Sequence, residues 1–208
     1  MDNTLGYEPG DVSSILAGGA KYKYSMEHFY NNIFGFFDYE DLYSDMVARV
    51  NESATFVEVG SFKGKSSAYM IVEIINSQKD IKFYCVDTFL GSSEHFKDQP
   101  HEDSDVVKGT LFESFSQNLA SVKNHYIPVK STSLEAVNKF KDKSLDFVFI
   151  DAAHDYDNVK ADILAWTPKI KNGGYLGGHD YHYEPVRTAV LEVLGQCFYS
   201  KSSWLVQK

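Results

Sequence analysis

From Ala54 onward, short apolar runs alternate with longer stretches in which apolar residues return every three or four positions. That rhythm predicts parallel strands joined by helices. Runs at 55–59 (TFVEV), 81–86 (IKFYCV), 126–129 (YIPV), 145–150 (LDFVFI) and 173–178 (GGYLGG) supply five strands. Ala68, Ile71, Val72 and Ile75 share one helical face after the first strand, and Tyr156, Val159, Ile163 and Trp166 share another after the fourth. A further helix is expected over EPVRTAVLEVLG, with Pro185 near its start and Gly195 just past its end. The tail, CFYS and SSWLVQ, reads as an antiparallel hairpin closing the sheet edge. The expected class is therefore α/β, a Rossmann-like, doubly wound, mostly parallel sheet with a C-terminal antiparallel hairpin. Residues 1–50 have no strand of their own, are rich in aromatics, and read as a helical cap from about Ser25. Cap and remainder, residues 51–208, are expected to form one compact unit.

Charge narrows the partners. The net charge of −9, with no run of basic residues longer than two, argues against nucleic acid and anionic membranes. It favours a small neutral or cationic ligand. Two cysteines form no disulfide framework, and Cys85 lies inside an apolar strand, which fits a reducing, cytoplasmic setting. No apolar run reaches the roughly 18 to 20 residues of a membrane span, and the N-terminus has no signal-peptide pattern.

The candidate chemistry sits at strand ends, where open parallel sheets bind ligands. FVEVGSFKGKS, residues 56–66, runs from a strand into a glycine turn. Only three residues separate Gly60 from Gly64, too few for a nucleotide-triphosphate loop, which needs four. Phe62 stands where a dinucleotide turn requires glycine, so a pyrophosphate is excluded as well. Acids follow the strands: Glu58 at the first, Asp87 at the second, Asp151 at the fourth and Asp180 at the fifth. A carboxylate in the place of Asp87 accepts hydrogen bonds from the two hydroxyls of a ribose, although it could also start a turn or cap a helix.

These features together point to S-adenosylmethionine. The chain resembles the class I S-adenosylmethionine-dependent methyltransferases, in particular the small-molecule O-methyltransferases that include macrolide-sugar and aminocoumarin-sugar enzymes. FVEVGSFKGKSS, FYCVDTFLGS and LDFVFIDAAHDYDNVKADILAWTPKIKNGGYLGGHDY carry the resemblance over most of residues 54–181. The resemblance implies that Glu58, Gly60, Ser61 and Gly64 line the methionine end of the cofactor, with Asp151 beside them. It implies the ribose on Asp87, and the adenine near Thr88, Thr132 and Ser133.

Methyl transfer to a hydroxyl needs the acceptor oxygen deprotonated, by a general base or with the help of a divalent cation. Asp151, His179 and Asp180 bring hard oxygens and one imidazole to neighbouring strand ends, a set that suits magnesium. Relatives often carry a second acid where His179 stands, which leaves manganese, zinc or no metal open. His154 is the leading base, since an imidazole titrates near neutrality; it could instead cap the following helix, and Asp151 could take the proton. His182, His95 and His101 rank below it. Residues 88–105 (TFLGSSEHFKDQPHEDSD) read as a substrate-facing lid or as disorder. The cluster HFYNNIFGFF, residues 28–37, would cover the sheet or bury against a second copy in a homodimer. The function expected is O-methylation of a small hydroxylated molecule. A non-catalytic binding or assembly module of the same fold is the alternative, and a nicotinamide oxidoreductase is disfavoured by the glycine spacing.

Overall fold

The computed structural model describes residues 25–208. Its strands are β1 (Ser53–Val59), β2 (Asp80–Asp87), β3 (Ile127–Lys130), β4 (Leu145–Ile150), β5 (Ile170–Gly178), β6 (Phe198–Ser200) and β7 (Ser203–Gln207). They form one sheet in the order β3-β2-β1-β4-β5-β7-β6. The five strands expected from the apolar runs pair in parallel. The tail forms the expected hairpin: β7 lies antiparallel beside β5, and β6 takes the outer edge. β1 is flanked by β2 and β4, so the strand order reverses there and the carboxyl ends of β1 and β4 frame a ligand crevice.

The helices are α1 (Glu40–Arg49), α2 (Lys65–Ser77), α3 (Ser104–Lys108), α4 (Leu111–Asn118), α5 (Ser133–Ala136), α6 (Tyr156–Trp166) and α7 (Glu184–Leu194). The two-residue period of β1 assigns its side chains to two layers. Phe56 packs with Tyr43, Met46, Ile71, Phe115 and Phe149, from α1, α2, α4 and β4. Val57 and Val59 pack on the other face with Ile163, Trp166, Val186 and Val190, from α6 and α7. Glu58, two residues after Phe56, is thereby aimed into the first layer and is fully buried. Both sheet faces are covered, which is why the strands read as continuous apolar runs.

The cap holds less helix than its sequence pattern predicts. Before α1 the described residues contain a single 3₁₀ turn, Tyr30–Asn32. The asparagine pair and Gly35, at φ 140°, interrupt the aromatic run before a helical face can build. Its rings nonetheless pack inward: His28 stacks on Tyr69 of α2 at 4.3 Å, and Tyr39 contacts Phe149 of β4 at 4.5 Å. Residues 1–24 of the expected cap lie outside the described residues. Among the described residues no helix is long and apolar enough to cross a membrane.

Candidate active site

The glycine turn after β1 is held from two sides. Gly60 donates its N–H to the Val86 carbonyl at 2.8 Å, and a Cβ on it would overlap the Asp151 carbonyl. At φ 94° this position is suited to glycine on backbone grounds as well. Asp87 closes the turn: one carboxylate oxygen accepts from the N–H groups of Ser61 and Phe62, both at 2.8 Å, and the other accepts from Phe89 at 2.7 Å. A carboxylate offers about four acceptor directions, so about one remains for a ribose hydroxyl. Glu58 is more fully committed. It accepts from Tyr43 and Ser61 at 2.9 Å each and from Ser67, and burial raises its pKa above the ordinary value despite those bonds.

The other residues expected at the cofactor also have local duties. Gly64, at φ 84°, is the N-cap of α2. Thr88 accepts from the Leu90 N–H at 3.2 Å in a local turn. Thr132 caps α5 in a reciprocal box with Glu135. Ser133 accepts from the indole N–H of Trp166 at 2.8 Å.

At the ends of β4 and β5 two acids and two histidines converge. His154 Nε2 lies 3.0 Å from Asp180 and 4.0 Å from Asp151. His179 Nδ1 lies 3.2 Å from Asp180 and 3.5 Å from Asp151. The hydrogen bond to Asp180 raises the pKa of His154. For His179, burial favours the neutral ring, but the hydrogen bonds and charges of Asp151 and Asp180 outweigh it and raise the pKa to about 10. Burial likewise works against ionised Asp180, yet the two imidazoles hold its pKa well below the usual range. His154 does not cap α6: Asp155 does, accepting from the Asn158 N–H at 3.1 Å. Its ring is therefore free of that structural duty, and it is 39% exposed against 5% for His179. Asp180 sits at φ 59° and Phe62 at φ 45°, left-handed conformations that gather here at the strand ends where ligands bind.

Three further side chains reach this cluster without any sequence signal. Tyr39 donates its hydroxyl to Asp151 at 2.9 Å. Asp38 and Ser202 meet His179 Nε2 at 3.1 and 2.8 Å, and Ser202 donates to both oxygens of Asp38 at 2.7 Å. The aromatic and acidic run FFDYEDLY was the nearest hint, but nothing in it indicates which distant residue it meets.

Two hollows open here, and Asp151 lines both. One, about 330 Å³, is walled by Phe34, Phe36, Gly60, Ser61, Lys65 and Ser66. The other, about 200 Å³, is lined by His154, His179, Asp180 and Trp204. Neither is lined by Glu58, Gly64, Asp87, Thr88, Thr132 or Ser133. The larger hollow suits the amino-acid end of S-adenosylmethionine. The start of α2 has no side-chain cap, so its first N–H groups can take a carboxylate, and Asp151 is placed for an ammonium or sulfonium. For a cation, Asp151, His154 and Asp180 each bring one ligand atom, all within 4.8 Å of one another. His179, expected among the ligands, is not in that group, because both of its nitrogens face protein partners. The donor set of two carboxylates and one imidazole suits magnesium, manganese or zinc.

The 88–105 segment folds over the turn. Lys63 Nζ bridges Asp103 and Asp105 at 2.7 Å each, largely out of water, and His95 stacks on Phe62 at 4.9 Å.

Comparison with known proteins agrees with this fold. A family profile described as a methyltransferase domain matches residues 57–181, more than half of the chain. No curated protein sequence matches. Among solved structures, the O-methyltransferase NovP superposes with a TM-score of 0.63 at 15% identity, covering 81% of this chain and 78% of its own. CalS11, a TDP-rhamnose 3'-O-methyltransferase of calicheamicin biosynthesis, gives 0.55 at 13%, covering 81% and 76%. An rRNA methylase from Streptococcus thermophilus gives 0.53 at 14%, covering 83% and 96%. At such identities the likeness establishes the fold, and acceptors as different as a sugar and an rRNA share it. With the family match over 57–181 and the sheet order described above, the chain belongs to the methyltransferase-domain family and is a class I S-adenosylmethionine-dependent methyltransferase.

Proposed function

We propose that the protein methylates a hydroxyl oxygen of a small molecule, with Asp151 placed between donor and acceptor. One observation carries this reading: Asp151 lines both hollows, so a methyl donor in the larger one and an acceptor in the smaller one meet beside it. Tyr39 fixes one oxygen of that carboxylate and His179 the other, which preorganises it. The acceptor oxygen attacks the sulfonium methyl in line. The C–S bond breaks with its electron pair moving to sulfur, and the hydroxyl proton passes to His154 Nδ1, because Nε2 directs its own proton to the Asp180 carboxylate. The products are a methyl ether, S-adenosylhomocysteine and protonated His154. Asp180 holds that ring at 3.0 Å and stabilises its positive charge. Asp151 and Asp180, with His154 in reach, would hold a divalent cation, magnesium foremost, which when bound polarises the hydroxyl and makes it more acidic. Gly60 and Ser61 support the methionine end and Asp87 the ribose; Thr88, Thr132 and Ser133 are assigned to the adenine by resemblance.

The test is calorimetric titration with S-adenosylhomocysteine, followed by methyl transfer to a panel of hydroxylated acceptors in magnesium or in EDTA. Asp151→Asn is expected to lower turnover at least a hundredfold, and EDTA to lower it in the native protein. Absence of S-adenosylhomocysteine binding would overturn the reading.

A further inference from the structure

Asp87 is the acid assigned to the donor's ribose, yet the chain itself already occupies most of it. One carboxylate oxygen accepts from Ser61 and Phe62 of the glycine turn, and the other from the Phe89 N–H two residues on. About one acceptor direction is left, whereas a ribose presents two hydroxyls. The hollows give the adenosine no room beside this acid: the larger reaches Gly60, Ser61, Phe62 and Lys63 of the turn, and Asp87 lines neither. Phe89, which supplies the competing N–H, is firmly placed. Its ring is 3% exposed and lies 4.8 Å from Phe112 and 4.9 Å from Phe115 of α4. Its backbone, at φ 55°, is left-handed, a conformation that a bulky residue holds only at a cost.

The rest of the 88–105 segment is fastened to the same turn. Lys63 Nζ meets Asp103 and Asp105 at 2.7 Å each, and the His95 ring stacks on Phe62 at 4.9 Å. The Asp103 N–H donates to the His95 carbonyl at 3.0 Å, which links the two fasteners. Segment and donor therefore compete for one turn and one carboxylate. We propose that residues 88–105 form an autoinhibitory strap: it keeps Asp87 on the Phe89 N–H, and the donor binds once the strap lifts and a ribose hydroxyl replaces that N–H. The inference rests on the assignment of the ribose to Asp87 above and adds a gating step to it. With a closed and an open form in equilibrium, the donor's affinity is its intrinsic affinity reduced by the open fraction. Loosening a contact made only in the closed form thus tightens donor binding, whereas loosening a clamp that grips the donor weakens it. Asp105 and His95 line neither hollow, so the strap can be loosened there without touching the donor's place.

S-Adenosylhomocysteine affinity is measured by calorimetry for the native chain, Asp105→Asn and His95→Ala, and hydrogen exchange over residues 93–105 is followed in each without ligand. Both variants are expected to speed that exchange and to bind S-adenosylhomocysteine about three- to tenfold more tightly. In the native protein, saturation with S-adenosylhomocysteine is expected to speed exchange of the Phe89 amide, which loses its carboxylate partner. Faster exchange in the variants with unchanged or weaker binding would overturn the inference, because the strap would then be neutral or a clamp. Variants that leave the exchange of 93–105 unaltered overturn it too, since these contacts would not fasten the strap. A Phe89 amide that slows or keeps its rate on ligand binding does the same. The 2′,3′-dideoxyribose analogue of S-adenosylhomocysteine tests the underlying assignment separately. The native protein is expected to bind it about tenfold more weakly, and equal binding strikes the ribose reading itself, whatever the variants do.

Discussion

Single positions here bear more than one demand, and their chemistry shows which dominates. Gly60 was expected to line a cofactor, and it does border the larger hollow, yet its tightest constraint is the Asp151 carbonyl of the neighbouring strand. Gly60→Ala would combine that overlap with a left-handed backbone, and is expected to cost about 3 kcal/mol or more. Urea unfolding checks this, and a loss below about 1 kcal/mol would mean that β1 and β4 can separate cheaply. His179 gives a pH signature. Its folded pKa, about 10, lies above the unfolded value, so its contribution to stability is complete below about pH 6.5 and is lost as pH climbs towards 10. Asp180 has the opposite sign: its depressed pKa adds stability that persists above about pH 4 and is lost only in strong acid. In chelator-treated protein the urea midpoint is therefore expected to decline from pH 7 to 10, and the decline to shrink in His179→Gln. An unchanged slope in that variant would show that the imidazole is not held charged.

Elements show how the strand-end loops are fastened to one another. The lid is tied to the glycine turn by Lys63, whose ammonium bridges two acids, one of which also caps α3. Burial disfavours this ammonium, but the hydrogen bonds to Asp103 and Asp105 outweigh that and raise its pKa. Lys63→Met leaves the two carboxylates facing each other without a counter-charge. Its expected cost is about 2 to 4 kcal/mol, concentrated in the lid. Hydrogen exchange over residues 93–105 should accelerate while β1 and β4 stay protected, and equal acceleration everywhere would refute a local tether. The α5 start gives a second test, because the resemblance assigns Thr132 to adenine and the structure shows it as a cap. Thr132→Ala should cost about 1 kcal/mol through the lost cap. If S-adenosylhomocysteine affinity is unchanged in that variant, capping is its whole role, and a tenfold loss would restore the adenine contact.

At the scale of the whole molecule, what could be read from the chain is what is local. The five parallel strands were legible because burial on both faces makes each a continuous apolar run, and Asp151, His154 and Asp180 were legible because they follow such runs. The partners of those residues were not. Tyr39 lies 112 positions from Asp151, and Asp38 lies 164 from Ser202, so no periodicity or spacing links them. The cap departs from its pattern for a related reason: its aromatics read as a helical face, whereas the sheet and α2 hold them in an irregular path. That same packing makes the cap part of the sheet's own core. Ile33, Phe37 and Tyr39 are buried in the cluster that contains Phe56, Phe147 and Phe149. At about 1.5 to 3 kcal/mol for each such side chain, their burial is comparable with the roughly 5 to 15 kcal/mol that holds a whole domain together. Deleting residues 1–39 is thus expected to abolish the cooperative melt in calorimetry and expose Phe147 and Phe149, whereas an independently folding cap would leave residues 51–208 melting as a sharp transition. Because Tyr39 and Asp38 would go with the segment, a truncated chain that still folded should also lose the fixed orientation of Asp151 and His179. Its turnover would then fall even with S-adenosylhomocysteine affinity intact.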